Sequence, residues 1–430
     1  MKAFWNRIPR PLKWAIGIVG IPVALLGIAW IVLYAVASSR LTDALATLRS
    51  TGHATSLAEL APPHVPADRN GAPHFLAAFA LHPDPEGDDP VLERAVDEGF
   101  AALGPKEKDH VRGLLEKSTP LFEKVRAGRA RGACRYDLDY SPGLAMDRPD
   151  FKGAIRTAKF LRLRAESEVY SGRCAEARET VRDILALADS YRLEPLMICQ
   201  LVRLAIAILA LEVIPPAVKA DTSADDLRAW LEIVPRPEAL DGAMERAFRG
   251  ELAGGAQLAG RPVSEALVAV DPSQKNPGWL ISTRLLAPYW KIIGANYLVQ
   301  MAHLVDLSRK PYLEARPKID AWMAELKSKK TPVFEALSLL LIPALSKAMD
   351  RQAVNQTALV VVRTGLAWEI ERAAAGRYPE ALDVIDPLSG KPLLYDKERG
   401  RISSAGLPGK TPEQMENDLL VWTLRAPPGK

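Results

Sequence analysis

The chain has 430 residues, of which 48% are hydrophobic and 25% charged, and its formal net charge is +4. This length allows a well-buried core and, on length alone, two domains. The charge balance, together with the lack of a basic stripe carrying interleaved aromatic residues, excludes nucleic acid as an expected partner.

The N-terminal region contains one long apolar segment without charged residues, from Trp14 to Ala37. Its length of about 24 residues exceeds the roughly 20 that a helix needs to cross the hydrocarbon core of a bilayer. Trp14, Trp30 and Tyr34 lie towards its ends, where aromatic residues of membrane helices are enriched. The segment is therefore predicted to be a transmembrane helix.

The charges that flank this segment predict its orientation. Arg40 is the one basic residue that closely follows it. Four basic residues precede it, namely Lys2, Arg7, Arg10 and Lys13. Because positive charge stays on the cytoplasmic side, residues 1–13 are predicted to be a cytoplasmic stub of a single-pass cell-membrane protein with a periplasmic body.

A cleaved signal peptide is the alternative interpretation of the same segment. Ala35-Val36-Ala37 matches a small-x-small cleavage site. The apolar region of a signal peptide is usually about 7–15 residues long, much shorter than this one. A retained anchor is therefore favoured, and cleavage after Ala37 stays open.

Residues 38–89 are rich in proline and glycine and are predicted to form an extended arm or stalk. Ser39–Ser50 is predicted to continue the anchor as a short amphipathic helix, and Ala72–Leu81 as a further helical piece. Five of the six histidines lie between His53 and His110. His64, His74 and His82 could ligate a metal, but their spacing does not place them on one helical face. No metal site is therefore predicted.

Residues 90–376 are predicted to be an α-helical body. Phe151–Tyr170 and Cys174–Tyr191 form a helix–turn–helix hairpin around Gly172, which resembles a tetratricopeptide hairpin. No second copy follows at the expected period, so an ordinary helical bundle is the alternative. The other predicted helices are Pro90–Leu103, Pro105–Arg126, Glu194–Val213, Ser223–Val234, Pro237–Leu258, Trp279–Leu307, Tyr312–Ser328, Val333–Met349 and Asp350–Gly376, with a turn-rich loop at Asp271–Gly278.

The three cysteines, Cys134, Cys174 and Cys199, leave at least one thiol unpaired. A disulfide between Cys174 and Cys199 and three buried thiols are the two alternatives, of which the second is favoured. Their spacings match neither a zinc site nor a redox C-x-x-C motif. The acidic stretch from Asp137 to Asp150 also lacks the spacing of a calcium-binding loop.

Residues 377–430 are predicted to be a small hairpin unit. A short helix at Tyr378–Leu382 precedes the segment DPLSGKPLLY. Three strands are predicted, at Leu393–Tyr395, Arg401–Ser404 and Leu419–Leu424.

The segment DPLSGKPLLY supplies a structural motif of Asp386, Pro387, Gly390, Pro392 and Tyr395. In this motif Pro387 restricts Asp386 and Gly390 permits a tight turn. Tyr395 is predicted to pack the hairpin against the last helix.

This motif, together with Gly376-Arg377-Tyr378-Pro379 before it and Ser404-Ala405-Gly406 after it, resembles a family of uncharacterised membrane-anchored bacterial proteins typical of planctomycetes. The resemblance implies a membrane-anchored architecture and no particular activity. The same motif is distantly similar to the C-terminus of type II secretion pseudopilins, in which an acidic loop that can hold calcium follows. Leu407–Gln414 lacks that acidic loop, so no calcium site is expected.

No catalytic signature is present among G-x-S-x-G, H-E-x-x-H, the P-loop and the dinucleotide fingerprint. No catalytic, metal or cofactor residue is therefore predicted. The one carboxylate group worth inspecting is formed by Glu369, Glu371, Asp383 and Asp386. The sequence favours a mainly α, membrane-tethered scaffold or partner-binding protein. An extracytoplasmic hydrolase and an envelope or secretion-assembly component are the alternatives.

Overall fold

In the computed structural model, the described residues are 10–84, 87–261, 284–328, 332–406 and 419–425. The predicted mainly α fold is confirmed: an apolar N-terminal helix and a helical body are followed by a small antiparallel sheet. The helices of the first half are α1 (Arg10–Ser50), α2 (Ala72–Phe79), α3 (Pro90–Glu98), α4 (Pro105–Lys117), α5 (Thr119–Ala130), α6 (Phe151–Tyr170) and α7 (Cys174–Asp189). The remaining helices are α8 (Met197–Glu212), α9 (Ile214–Ala217), α10 (Ala224–Ile233), α11 (Ala243–Ala259), α12 (Ala287–Ser308), α13 (Tyr312–Ser328) and α14 (Ala336–Ala375).

Helix α1 is one continuous helix of 41 residues that joins the predicted span to the predicted amphipathic helix. From Ile18 to Val36 its side chains are exposed, apart from the half-buried Trp30. The following turns bury Leu41, Ala44 and Leu48 in the body. These positions recur every three or four residues, so one face of the helix is packed here while Ile18–Val36 is bare.

The arm packs on the body. The Asn70 side chain donates to the Arg135 carbonyl at 2.8 Å and accepts from its backbone N–H at 3.0 Å. The Gly71 N–H donates to the Ala133 carbonyl at 2.8 Å. Phe75 of α2 is buried in the main core. Of the predicted alternatives, a packed arm is therefore observed for these residues.

The hairpin α6–α7 forms as predicted, with Gly172 in its turn at a left-handed φ of 75°. A side chain rarely adopts this conformation, which is why glycine is suited to the turn. Helix α8 packs against α6, α7 and α11. The 40-residue α14 contacts α8, α10, α11, α12 and α13, so it is the central element of the C-terminal half.

Helices α12, α13 and α14 define two ends of the body. The Tyr289 hydroxyl, near the start of α12, donates to the Val333 carbonyl at 2.8 Å. The Asn296 side chain donates to the Phe334 carbonyl at 3.0 Å. The first turns of α12 and α14 therefore lie at one end of the body. The C-terminus of α12 lies about 30 Å further along that helix, at 1.5 Å per residue.

The C-terminal sheet has the order β1 (Leu394–Asp396), β2 (Arg401–Ser403) and β3 (Val421–Thr423), all antiparallel. Its register pairs Tyr395 with Ile402 and Ile402 with Trp422. Ile402 and Trp422 are buried and face α14. Trp422 lies against Gly365, where a Cβ atom would come within 2.2 Å of the indole ring.

Several local predictions are wrong. Val333–Met349 and Asp350–Gly376 are not separate helices, because the chain continues through Pro343 as the single helix α14. Pro237–Leu258 is interrupted, because Gly242 is left-handed after a short 3-10 turn at Pro237–Leu240, and α11 begins at Ala243.

Three further differences concern shorter segments. Tyr378–Leu382 is not helical, because Gly376 ends α14 in a left-handed conformation and the next residues cross towards the sheet. Pro105–Arg126 is split into α4 and α5 at Ser118, since Pro120 cannot donate within a continuing helix. Helix α3 ends at Glu98, short of the predicted Leu103.

Other predictions concern the cysteines and parts of the chain outside this description. All three cysteines are free, so the Cys174–Cys199 disulfide is not formed. Helix α12 begins at Ala287, and the earlier part of the predicted Trp279–Leu307 helix up to residue 283 lies outside the described residues. The loop Asp271–Gly278, the segment Leu407–Gln414 and the charged residues Lys2 and Arg7 also lie outside them.

Candidate functional site

The junction between α1 and α12 joins the bare apolar helix to the body. The Trp30 indole N–H donates to the Leu285 carbonyl at 2.9 Å. One turn further, the Lys291 ammonium lies 4.6 Å from the centre of the Tyr34 ring and 3.1 Å from the Ser38 hydroxyl. These contacts fix the level along α1 at which the body begins.

Two described segments are long and apolar enough to cross a membrane, Ile18–Ser50 and Met197–Ala217. Signal sequences and buried core helices meet the same criterion. The second segment is 61% buried in the body and contains the core helix α8, whereas the apolar window of the first has no buried residue. The first segment is therefore the candidate membrane span.

The C-terminal motif is organised around the buried carboxylate of Asp386. This carboxylate accepts hydrogen bonds from the hydroxyls of Thr357 at 2.9 Å, Ser389 at 2.7 Å and Ser404 at 2.7 Å. It also accepts from the Leu388 backbone N–H at 2.9 Å. Because Thr357 belongs to α14 and Ser404 follows β2, Asp386 ties the helix, the turn and the sheet together.

The remaining motif residues shape the same turn. Gly390 has a φ of 68° and its N–H donates to the Asp386 carbonyl at 2.8 Å. Pro392 forms an isolated bridge with Ile385. Tyr395 packs edge-on against Trp368 of α14, with ring centres 4.6 Å apart. The first two contacts close the turn, and the Tyr395–Trp368 contact holds the unit on α14.

A second buried carboxylate, that of Glu369 in α14, holds the chain just after β3. It accepts from Arg372 Nε at 2.7 Å, from the Tyr378 hydroxyl at 3.0 Å and from the Arg425 backbone N–H at 2.8 Å. Both side chains of the Glu369–Arg372 pair are buried. Glu371, by contrast, is exposed to solvent.

The four carboxylates singled out in the sequence therefore do not converge on one reaction centre. The carboxylate oxygens of Asp386 and Glu369 accept hydrogen bonds from groups within the fold, whereas Asp383 and Glu371 face solvent. A general acid or base must reach a substrate proton. The arrangement is suited to holding the C-terminal unit rather than to catalysis.

A cleft of about 480 Å³ lies at the C-terminal end of α12. Arg309 Nε and Glu245 Oε1 lie 3.0 Å apart in its wall. Gln356 of α14 donates to Asp241 at 2.8 Å, and Gln352, one turn earlier, accepts from the Met244 N–H at 3.0 Å. We call this cavity the polar cleft. Its wall is completed by Ser308, Lys310, Pro311, Tyr312, Leu313, Met349, Ala353 and Pro387.

Opposite charges and amides share the wall of the polar cleft. Asp241 and Glu245 are balanced by Arg309 and Lys310. Such a surface offers both hydrogen-bond donors and acceptors. It can therefore bind a polar ligand or an extended protein segment, and Pro387 makes the C-terminal motif part of its wall.

Two buried carboxyl groups elsewhere have raised pKa values. Burial raises the pKa of Glu194 to about 6, although the Tyr140 hydroxyl donates to it at 2.5 Å. Burial also raises the pKa of Asp183 to about 6, opposed by Arg129, whose Nε lies 3.1 Å away. Burial raises the pKa of Cys134 to about 12, so this thiol is not a nucleophile at neutral pH.

The histidines considered as metal ligands are separate in the fold. His82 lies 2.9 Å from the Asp84 carbonyl, and burial lowers its pKa. His74 accepts from Arg131 Nε at 3.3 Å, and His64 is exposed. Within the described ranges, no group of three or more His, Cys, Asp or Glu residues could hold a metal ion.

No protein-family model, no curated protein and no solved structure matches this chain. Its function is therefore inferred from its own geometry.

Sequence reasoning did not find the α1–α12 junction or the polar cleft. Trp30 and Leu285 are 255 positions apart, and no local pattern relates them. The polar cleft gathers residues from four helices and the C-terminal turn. Polar residues such as Gln352 and Gln356 give no signal in sequence, because they look like an ordinary solvated helix face.

Proposed function

We propose that this chain is a single-pass membrane protein whose helical body binds a protein partner on the extracytoplasmic side. The observation that carries the proposal is the two-part character of α1. Its exposed apolar half, Ile18–Val36, continues without a break into the half that packs on the body. A bare apolar helix of this length is stable in lipid and costly in water.

The same continuity supports a scaffold. Because α1 has no flexible linker before it packs on α12, the body is held in one orientation relative to the span. The basic N-terminal residues favour a cytoplasmic N-terminus, with a periplasmic body. The polar cleft then lies about 30 Å from the membrane-side end of α12, at a distance suited to a soluble or peripheral partner.

The polar cleft is the proposed partner-binding surface. It has the volume of a ligand site and a wall of mixed charge. Charged groups of both signs favour a partner segment that carries complementary charges. A partner-binding role requires no converging catalytic groups.

The test is affinity capture of tagged full-length protein from native membranes after mild cross-linking. Wild type is compared with Lys310→Glu in the polar cleft and with Lys397→Glu, an equal charge change in the turn between β1 and β2. We expect one stoichiometric partner with wild type and with Lys397→Glu, and its loss with Lys310→Glu. Recovery of the wild-type protein alone would refute partner binding. Equal recovery by all three proteins would refute the assignment to the polar cleft.

A further inference from the structure

Five large apolar side chains are exposed at the end of the body where α1 enters it. They lie just before α12, in the turn before α14 and in the first turns of α14, and we call them the apolar end surface: Leu285, Leu286, Val333, Phe334 and Leu340. The Tyr289 ring packs at 5.9 Å against Phe334, which joins the two parts. Exposed apolar groups concentrated in this way mark an interaction surface.

The apolar end surface lies at the depth of the last turns of the span. A crossing of about 20 residues that starts at Trp14 ends at Leu33. Trp30 lies within it, and its indole N–H is bonded to the Leu285 carbonyl. Leu285 and Leu286 are therefore level with a residue that is still inside the crossing, rather than above the membrane.

The Lys291 ammonium marks the water-side boundary. It lies 3.1 Å from Ser38, about 12 Å further along α1 than Trp30 at 1.5 Å per residue. A lysine at this level keeps its charge at the interface while its aliphatic stem lies along apolar groups. Its contact with the Tyr34 ring is an arrangement common at the headgroup level.

Two exposed basic residues lie at this end, together with the exposed acidic Glu325. Arg284 precedes Leu285, and Lys327 lies in the last turn of α13, which packs against the same turn as Phe334. Cations near a membrane surface are attracted to anionic headgroups. The polar cleft at the other end carries acidic as well as basic groups.

We propose that the apolar end surface is embedded in the interfacial layer of the leaflet from which α1 emerges. The body would then make a second contact with the membrane beside the span. The occupant of this surface is the boundary between headgroups and acyl chains, because the surface is continuous with the lipid-exposed face of α1. This inference rests on the proposed membrane-spanning role of α1.

The test measures the environment of single spin labels in the full-length protein. The protein, with its three native cysteines replaced by alanine, is reconstituted in phosphatidylcholine–phosphatidylglycerol vesicles. Labels are placed by Leu285→Cys, Phe334→Cys and Leu26→Cys. The control is Leu313→Cys, an exposed leucine at the polar-cleft end. Collision with oxygen, which concentrates in lipid, is compared with collision with a water-soluble nickel chelate.

We expect the oxygen-to-nickel collision ratio at Leu285 and Phe334 to exceed that at Leu313 several-fold and to approach that at Leu26. If both positions match Leu313 while Leu26 remains in lipid, the anchor stands and the apolar end surface is refuted. If Leu26 is itself in water, the membrane-spanning role fails. Low collision with both reagents at Leu285 and Phe334 would show a protein covering, a second copy or a partner, and would also overturn the inference.

A second measurement does not require the cysteine-free background. A photo-reactive benzoylphenylalanine at Leu285 in the otherwise native chain is irradiated in the same vesicles. We expect cross-links to phospholipid, detected by mass spectrometry, and none from the same group at Leu313. Cross-links from Leu285 to protein alone would contradict the inference.

Discussion

The two ends of the body differ in chemistry although both are built on α12. At its start, exposed leucines and Phe334 surround the junction with α1. At its C-terminus, the polar cleft combines amides with charges of both signs, and the C-terminal unit supplies part of the wall. One end is suited to lipid and the other to a polar partner. Under the proposed function, attachment and binding belong to separate regions, which can be disrupted one at a time.

The largest effect is expected at the membrane end. Leu25→Lys combined with Leu26→Lys places two charges near the centre of the span, at a cost of about 5–7 kcal/mol for insertion. We expect the variant to be extracted from membranes by alkaline carbonate, whereas wild type is retained. Leu313→Lys, at the polar-cleft end, should remain in the membrane fraction. Retention of the doubly charged variant would show that this segment is not the span.

The second effect is expected at the polar-cleft end. Asp386→Ala leaves three hydroxyls and one backbone N–H without their acceptor. The expected loss of stability is about 3–5 kcal/mol, since the partners stay buried. We expect protease-sensitive release of residues beyond Gly376 with unchanged membrane retention. Asp383→Ala, exposed three residues earlier, is the control and should behave as wild type.

The packing of the C-terminal sheet against α14 gives a third test. Gly365→Ala places a Cβ atom against Trp422, for an expected cost of roughly 1–3 kcal/mol in unfolding free energy. Gly113→Ala is the matched control, because no atom lies within 4 Å of its Cβ position. In the control, the higher helix propensity of alanine should raise stability by up to about 1 kcal/mol. The thermal midpoint of each variant is measured in detergent. A shift in the same direction for both variants would contradict the close packing of Gly365 against Trp422.

The core of the body should make the free energy of unfolding depend on pH. The pKa of Glu194 is raised from 4.5 to about 6 in the folded protein. Between these pH values the unfolded state loses its proton first, so stability falls as pH rises, by about 2 kcal/mol in all. In Glu194→Gln this contribution should vanish, and the thermal midpoint should fall less between pH 4.5 and 6.5. Glu232→Gln, an exposed control, should follow the wild-type curve.

The smallest effect is expected at the junction. Lys291→Met removes the ammonium from Tyr34 and Ser38 and keeps much of the aliphatic stem. We expect a loss of about 0.5–1 kcal/mol, the range for an exposed cation–π contact. The readout is the thermal midpoint in detergent, with Lys397→Met as the control. A midpoint unchanged from that control would mean that the Lys291 contacts add nothing to the junction.

The sequence was most informative where structure is local. The hairpin α6–α7 has its predicted start at Phe151 and its turn at Gly172, because helical periodicity and a glycine turn are both short-range signals. The apolar segment after Trp14 and the three short strands were also predictable from composition and spacing. The failure at Tyr378–Leu382 has a long-range cause besides the helix end at Gly376, since Tyr378 is also held by the Arg425 carbonyl, 47 positions away.

The candidate sites were less predictable because their residues meet only in the fold. The motif at Asp386 was recognisable as a turn, but its hydroxyl partners Thr357 and Ser404 are 29 and 18 positions away. The apolar end surface could be identified only once the structure showed where Trp30 of α1 contacts Leu285. Neither pairing leaves a periodic pattern in the sequence.

The most direct test of the account is the side of the membrane on which each end of the chain lies. Single cysteines at Ala3 and at Leu313, in the cysteine-free protein, are exposed in intact spheroplasts to a membrane-impermeant maleimide. We predict that Leu313→Cys is labelled in intact spheroplasts and Ala3→Cys only after permeabilisation, with both present in a full-length chain. The account would be contradicted by the reverse pattern, or by a mature chain that begins after Ala37.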